Sequence, residues 1–208
     1  MKKFLALLLI IAWWPVTALA ADYSPGNGYT LIEKPVRTAN PDKIEVLEIF
    51  WYGCPHCFRL EPLTQSWKKT IASDVDFSFM PAVFGRSWEA HARAYYVSQL
   101  LGIENKTHEN IFNTIHIDKR RLNTKGSLAK FFSNYGVDEA TFNKQYNSFA
   151  VNSRLKQADA KIRAYGIQGV PAIIVNGKYL VSASTAGGNQ NVYPVVNFLI
   201  EKERQAKK

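Results

Sequence analysis

This chain of 208 residues is poor in soft and imidazole ligands, with two cysteines, two methionines and four histidines. A length that can bury an ample core without staples, combined with so few cysteines, excludes a disulfide framework. Met80 is the one methionine outside the start, which argues against a copper carrier. His91, His108 and His116 match no zinc spacing, so no metal site is expected; each reads as a helix-surface or core histidine. Beyond the first twenty or so residues no apolar run approaches the length of a membrane span. There are no internal repeats and no low-complexity stretch. Acidic residues are in deficit, giving a formal net charge of +9, with basic clusters at Lys119, Arg120, Arg121 and Lys125 and in the tail (Lys202, Arg204, Lys207, Lys208). Neither cluster comes with a nucleic-acid motif, so no nucleic-acid partner is expected and the clusters read as solvated faces and a frayed end.

The start of the chain reads as an export signal. Lys2 and Lys3 precede an apolar run from Phe4 to Trp14, and Ala18-Leu19-Ala20 places small residues where a signal peptidase cleaves. Pro15 and Thr17 interrupt the run, which disfavours the rival reading of a retained anchor. Cleavage after Ala20 sends Ala21 onward into a compartment where disulfides persist.

The two cysteines stand together as Cys54-Pro55-His56-Cys57. A bond between them would close almost no loop and remove little unfolded-state entropy. Such a pair in an exported chain points to chemistry instead of scaffolding. Upstream, Lys43 to Tyr52 (KIEVLEIFWY) reads as a strand buried on both faces, broken by Gly53. Pro55 then suits the first turn of a helix running towards Trp67. Asp74 to Val83 reads as a second strand that Pro81 ends or holds at an edge. Helical spacing follows: one helix capped by Ser87 and stopped by Gly102, one at Ile111 to Ile115, one capped by Ser127, one capped by Asp138, and a longer one ending at Tyr165-Gly166. Ala172 to Val175 and Tyr179 to Val181 flank Asn176-Gly177, a type I′ hairpin signal, and Val192, Val195, Val196 and Leu199 line a final helix. The expected organisation is a signal over 1–20, an α/β domain in two parts over 21–83 and 150–208, and a helical insertion over 84–149.

Thiol–disulfide exchange needs a thiolate that attacks or leaves easily. A helix N-terminus at Cys54 favours the thiolate, and His56 adds a hydrogen bond or a positive charge beside it. Pro55 removes a competing donor and stiffens the turn. Gly53 lets the chain turn sharply, leaving the Cys54 sulfur exposed, while Cys57, one turn in, is the buried partner. A stabilised thiolate makes the disulfide form more oxidising, by about 30 mV for each 1.4 kcal/mol. Glu48, inside VLEIF, either points to solvent or is buried beneath the pair, where it would relay a proton to or from Cys57. Gly169-Val170-Pro171 is either a plain turn before a strand or a cis Val170–Pro171 segment beside the disulfide. In the second case Val170 offers its N–H and C=O to an extended substrate.

FWYGCPHC, a helical insertion, GVPA before a strand and the VNGKY hairpin together resemble the thioredoxin superfamily, and closely its DsbA-type periplasmic disulfide oxidases. The resemblance implies an α/β, thioredoxin-like fold with an inserted α-helical domain. It implies Cys54 as nucleophile, Cys57 as buried partner, Pro171 as cis-proline and Glu48 as the family's buried acid. It also implies reduced, unfolded exported proteins as clients, reoxidation by a DsbB-like quinone-linked membrane protein, and a periplasmic location. The reaction requires no cofactor, and nothing argues for more than a monomer. One departure stands out: the lysine that pairs with the buried acid in the best-known member is replaced here, on alignment, by Phe79. The alternatives are a disulfide isomerase or reductase, disfavoured because only Ala21 to about Asn40 precedes the first core strand, and a C-x-x-C metal-binding module.

Overall fold

Strand β3 (Ile44–Phe50) has all seven of its side chains buried, and the molecule is organised around it. It lies inside a six-stranded sheet in the order β1-β2-β6-β5-β3-β4. This computed structural model describes residues 23–207, so the expected export signal over 1–20 lies outside the described residues. β4 (Val75–Pro81) pairs parallel to β3, and β5 (Ala172–Val175) pairs antiparallel on its other side. β6 (Tyr179–Val181) returns from β5 through Asn176 and Gly177, both at positive φ as a type I′ turn requires. Strands from either side of the helical stretch therefore share one sheet. β4 is an edge strand and Pro81 is its last residue, so the proline both ends the strand and sits where no ladder hydrogen bond is lost.

Two short strands add an early edge that periodicity did not reveal. β1 (Ser24–Pro25) pairs with β2 (Gly28–Leu31), and β2 joins β6. The first strand of the sheet thus precedes Asn40, a correction to the expectation that the core begins near Lys43. Four residues of GYTL carry too little pattern to separate from a loop; the unpaired edge of β6 is what recruits them.

Helix α1 (Pro55–Lys68) follows β3 after a short turn, with Pro55 in its first turn and Cys54 as its N-cap. Five helices then intervene between β4 and β5: α2 (Arg86–Leu100), α3 (Glu104–His116), α4 (Lys125–Ser133), α5 (Glu139–Tyr146) and α6 (Phe149–Ala164). α2 begins before Ser87 with Gly85 at its cap position and no side-chain cap bond, so Ser87 does not cap it. Ser127 is the third helical residue of α4, reciprocally bonded to the true N-cap Thr124 in a capping box. Asp138 caps α5 as its spacing implies, accepting from Thr141 N–H. After a short α7 (Ala183–Ala186), α8 (Asn189–Ala206) buries Val192, Val195, Val196 and Leu199. The tail is not frayed: α8 reaches Ala206 and its Arg204 Nε holds Asp74 Oδ2 at 2.6 Å. Lys119, Arg120, Arg121 and Lys125 are exposed. No helix of the described residues is long and apolar enough to cross a membrane.

Side chains alternate across β3. Ile44 and Val46 enter one apolar cluster with Leu60, Trp67 and the α8 valines. Leu47 and Ile49 enter another with Cys57, Phe112 and the α2 to α6 layer. The cysteine pair sits just past the end of β3, in the second of these clusters.

Candidate active site

The turn from β3 into α1 is tight. A Cβ at Gly53 would lie 2.3 Å from the Trp51 ring, so no larger residue fits without displacing that indole. Cys54 N–H then bonds back to the Trp51 carbonyl at 3.0 Å, which places the Cys54 side chain over the first turn of α1. Its sulfur accepts from the Cys57 N–H at 3.4 Å, the bond a serine or aspartate makes at an ordinary N-cap. Both thiols are free in this structure.

The two sulfurs meet opposite environments. The Cys54 thiol is lowered from 9.0 to about 6, chiefly by the hydrogen bond from the Cys57 side chain; burial opposes this, while the backbone N–H groups of Cys57 and His56 and the His56 charge add to it. Burial, then the hydrogen bond and charge of Cys54, push the Cys57 thiol far up, and the Glu48 charge adds to the rise. Cys54 is 7 % exposed and Cys57 0 %, so the order is as expected but Cys54 is far more covered than a sulfur at a sharp turn suggests. The cover comes from across the molecule: the Cys54 thiol donates to the Val170 carbonyl at 3.5 Å, and the Val170–Pro171 bond is cis. His56 is exposed and its Nδ1 lies 2.9 Å from Arg59 Nη2, so its backbone, more than its ring, serves the sulfur.

Glu48 is 1 % exposed, which removes the reading that points it to solvent. Its Oε2 accepts from the Thr64 hydroxyl of α1 at 2.9 Å and from the Tyr193 hydroxyl of α8 at 3.1 Å. Its register partner on β4 is Phe79, as the sequence alignment implies, and no lysine stands there. Lys68 reaches in from α1 instead, its Nζ 4.9 Å from the centre of the Phe79 ring. Burial, followed by the charge of Glu61, raises the Glu48 carboxyl from 4.5 to about 8 despite the two hydroxyls and Lys68. At neutral pH it holds its proton.

A hollow of about 550 Å³ runs beside the pair, bounded by His56, Ile167, Val170, Pro171, Leu180 and Ser182 among others. A larger one of about 680 Å³ lies between α2 and α6, away from both cysteines. Size alone does not mark the site; the titration behaviour of the sulfurs does.

The DSBA-like thioredoxin domain model matches residues 65–195, which include Pro171 but begin after the cysteine pair. Whole-chain relatives bridge that gap. A thiol:disulfide interchange protein DsbA of Pseudomonas aeruginosa is 38% identical over 203 residues, covering 98% of this chain and 96% of its own. One from Azotobacter vinelandii is 41% identical over 186 residues, 89% of this chain and 87% of its own. The chain belongs to the DSBA-like thioredoxin family. A crystal structure of Pseudomonas aeruginosa DsbA superposes with a TM-score of 0.85 at 39% identity, over 91% of this chain and 99% of that one. The Xylella fastidiosa oxidoreductase DsbA gives a TM-score of 0.82 at 33% identity, over 88% and 98%. The α/β, thioredoxin-like fold with inserted helices is thus the fold of this DSBA-like chain.

Residue-by-residue reading missed a second buried acid in this DSBA-like site. Glu61 is 3 % exposed; its Oε1 accepts from Gln65 Nε2 at 2.6 Å, and its Oε2 faces His108 Nε2 of α3 at 3.4 Å. Burial opposes ionisation of Glu61, but the hydrogen bond and charge of His108, with Gln65 and Lys68, leave it below its ordinary value. A signal was present. Cys57, Leu60, Glu61, Thr64 and Trp67 fall on one helical stripe, so a glutamate and a threonine stand where α1 is buried.

Proposed function

We propose that Cys54 and Cys57 are the reacting pair of this thiol:disulfide oxidoreductase, and that it works as a disulfide donor to reduced, unfolded exported proteins. The observation that carries the reading is the split between the sulfurs: about 6 for Cys54, and far above the ordinary thiol range for Cys57. In the oxidised protein a client thiolate attacks Cys54, and the electron pair of the S–S bond passes to Cys57. Cys57 is buried and holds a negative charge poorly, so it takes a proton, and neutral Glu48 is the donor. A second client thiolate then attacks the client sulfur of the mixed disulfide. Cys54 leaves readily because its thiolate is stabilised. At pH 7 a pKa of about 6 favours the reduced form by at most about 1.4 kcal/mol over an un-ionised thiol, roughly 30 mV, and solvent near the sulfur screens part of it.

Val170 and Pro171 border the hollow next to Cys54, and an extended client lying there meets the Val170 backbone in the manner of strand addition. When Cys54 is oxidised or bonded to a client it no longer donates to the Val170 carbonyl, which frees that oxygen for the client. His56 and Pro55 shape the turn that holds the sulfur. Periplasmic location follows from signal cleavage near Ala20-Ala21, and a DsbB-like quinone-linked membrane protein restores the disulfide. The test is incubation of the oxidised protein with a reduced, unfolded multi-cysteine protein. Loss of client thiols in step with reduction of Cys54–Cys57 is the expected result; a protein that keeps its disulfide under these conditions is not a donor. The isomerase or reductase alternative has no observation of its own in its favour.

A further inference from the structure

Four cations of the loop between α3 and α4 take no part in the chemistry above. Lys119, Arg120, Arg121 and Lys125 are exposed, and over residues 117–126 only Asp118 opposes them, four cations against one acid for a net +3. The loop is held in place. The Ile117 and Asp118 N–H groups bond to the Asn113 carbonyl at 2.8 and 3.1 Å, and the Arg120 N–H to the Thr114 carbonyl at 3.0 Å, closing the end of α3. At the near end His116 Nε2 donates to the Tyr52 carbonyl at 2.7 Å, two residues before Cys54, and its ring stacks on Phe58 of α1 with centroids 4.8 Å apart. At the far end Leu122 is buried in the apolar cluster that holds Tyr52 and Cys57. The cations are thus fixed beside the turn that carries the reacting pair.

Their charged groups have no partners. Among the described residues no carboxylate lies within ion-pair distance of any of the four, and none of their side-chain nitrogens makes a hydrogen bond. Two other arginines of this chain show the opposite arrangement. Arg93 is gripped by Glu89, Asn152 and the Tyr146 carbonyl, and Arg204 by Asp74 and Glu201. An arginine that reads one carboxylate is oriented by such neighbours. Unoriented cations suit a surface whose negative charge is spread out. Ile117, 62 % exposed at the edge of the same loop, adds an apolar side chain. Cations around an exposed apolar residue match a phospholipid headgroup layer, where the charges meet phosphates and the side chain enters the acyl boundary. An acidic polypeptide would satisfy the charges and leave Ile117 in water. We propose that the loop Ile117–Lys125 seats the protein on an anionic phospholipid surface, with the Cys54 turn held beside the bilayer. This goes beyond the exchange reaction and does not depend on it.

Vesicle sedimentation tests the proposal. The chain starting at Ala21 is used, so that the apolar leader contributes nothing. It is mixed with sucrose-loaded vesicles of phosphatidylcholine alone, or of equal parts phosphatidylcholine and phosphatidylglycerol. Binding is expected to the anionic vesicles only, and to weaken as salt is raised from about 0.05 M to about 0.3 M. Lys119→Gln/Arg120→Gln/Arg121→Gln is expected to weaken it about a hundredfold, since each cation near such a surface strengthens partition roughly fivefold. Lys34→Gln/Lys43→Gln/Lys69→Gln removes the same charge at the opposite end of β3. Lys43 precedes that strand, Lys69 ends α1, and Lys34 lies in the loop whose Val36 bonds to Gly177. This variant is expected to stay within about fivefold of wild type, its charges lying beyond a screening length from the loop. Ile117→Asp is expected to weaken binding about tenfold or more. Absence of wild-type binding at low salt overturns the proposal, as do equal losses in the two triple variants or unchanged binding of Ile117→Asp. Binding to soluble poly-glutamate with none to vesicles would make the loop a protein-docking surface and overturns it as well.

Discussion

Cys54 and Cys57 stand one helical turn apart, and the fold treats them in opposite ways. Cys54 caps the helix and borrows its free N–H groups; Cys57 packs inside the apolar cluster of the helical layer and is fully buried. Identical side chains thus differ in proton affinity because one sulfur meets several donors and the other is buried, with the Trp51 backbone opposing that burial only weakly. The contrast repeats one layer deeper. Glu48 is buried against two hydroxyls and stays protonated, while Glu61 is buried against an imidazole and an amide and is held ionised. Burial raises both carboxyls, and the charge available to each partner decides which keeps its proton. The site is built from two such asymmetric pairs, one of sulfurs and one of carboxyls.

Removing either sulfur breaks the comparison most severely. Cys54→Ser is expected to bring client oxidation to background, whereas in Cys57→Ser the free Cys54 thiolate is expected to attack disulfides of oxidised clients, expelling one client sulfur as a thiolate, and to accumulate mixed disulfides that no Cys57 resolves, visible on a non-reducing gel. Mixed disulfides at Cys57 in the first variant would reverse the roles.

Glu48→Gln comes next, and its stability signature has a definite sign. In the unfolded chain the carboxyl ionises near 4.5, and in the native protein only near 8. Its contribution is fully present below 4.5 and is lost as pH rises through 8. Glutamine keeps an oxygen for Thr64 and Tyr193 without that loss, so the variant is expected to gain about 3 kcal/mol over wild type at pH 7 and little at pH 4. Urea unfolding of both proteins at the two pH values measures it; parallel curves would mean that Glu48 is ionised in the native state. Client oxidation by the same variant should slow by about tenfold or more.

Glu61→Gln sharpens the second pair. Without the Glu61 charge, the Glu48 carboxyl should titrate below about 8, which carboxyl ¹³C NMR reads directly. The smallest effect is expected for His56→Ala. Its ring contacts Arg59 and its charge is the last of the influences on Cys54, so the thiolate pKa should rise by less than about one unit. A rise of several units would return to the ring the role that the Cys57 side chain and the backbone N–H groups hold here.

Much of this site was legible in the chain, for physical reasons that differ by residue. Cys54, Cys57 and the strand–glycine–proline order around them are local, and local order fixes a helix N-cap. Pro171 was legible only as a candidate, since its distance from Cys54 is set by the antiparallel pairing of β3 with β5. The direction in which Glu48 points was undecidable from VLEIF because every neighbour is apolar; α8, through Tyr193, settles it from far along the chain. His56 favours the Cys54 thiolate through its backbone N–H and its charge, while its ring contacts Arg59 one turn on, a pairing that no spacing in CPHC reveals. His108 reads in the sequence as a helix-surface or core histidine, and nothing in the sequence of α3 places it against α1. The short strands β1 and β2 escaped because the edge of β6, not their own pattern, makes them strands.

Ultraviolet absorbance of the Cys54 thiolate against pH, in the reduced protein and with Cys57→Ser as a control for the second sulfur, tests the account most directly. A single transition near pH 6, with no second one below the alkaline limit of the fold, is the predicted result. Titration of Cys54 near its ordinary value of 9.0 would contradict the claim that the Cys57 side chain and the helix N-terminus together stabilise the thiolate of a disulfide donor.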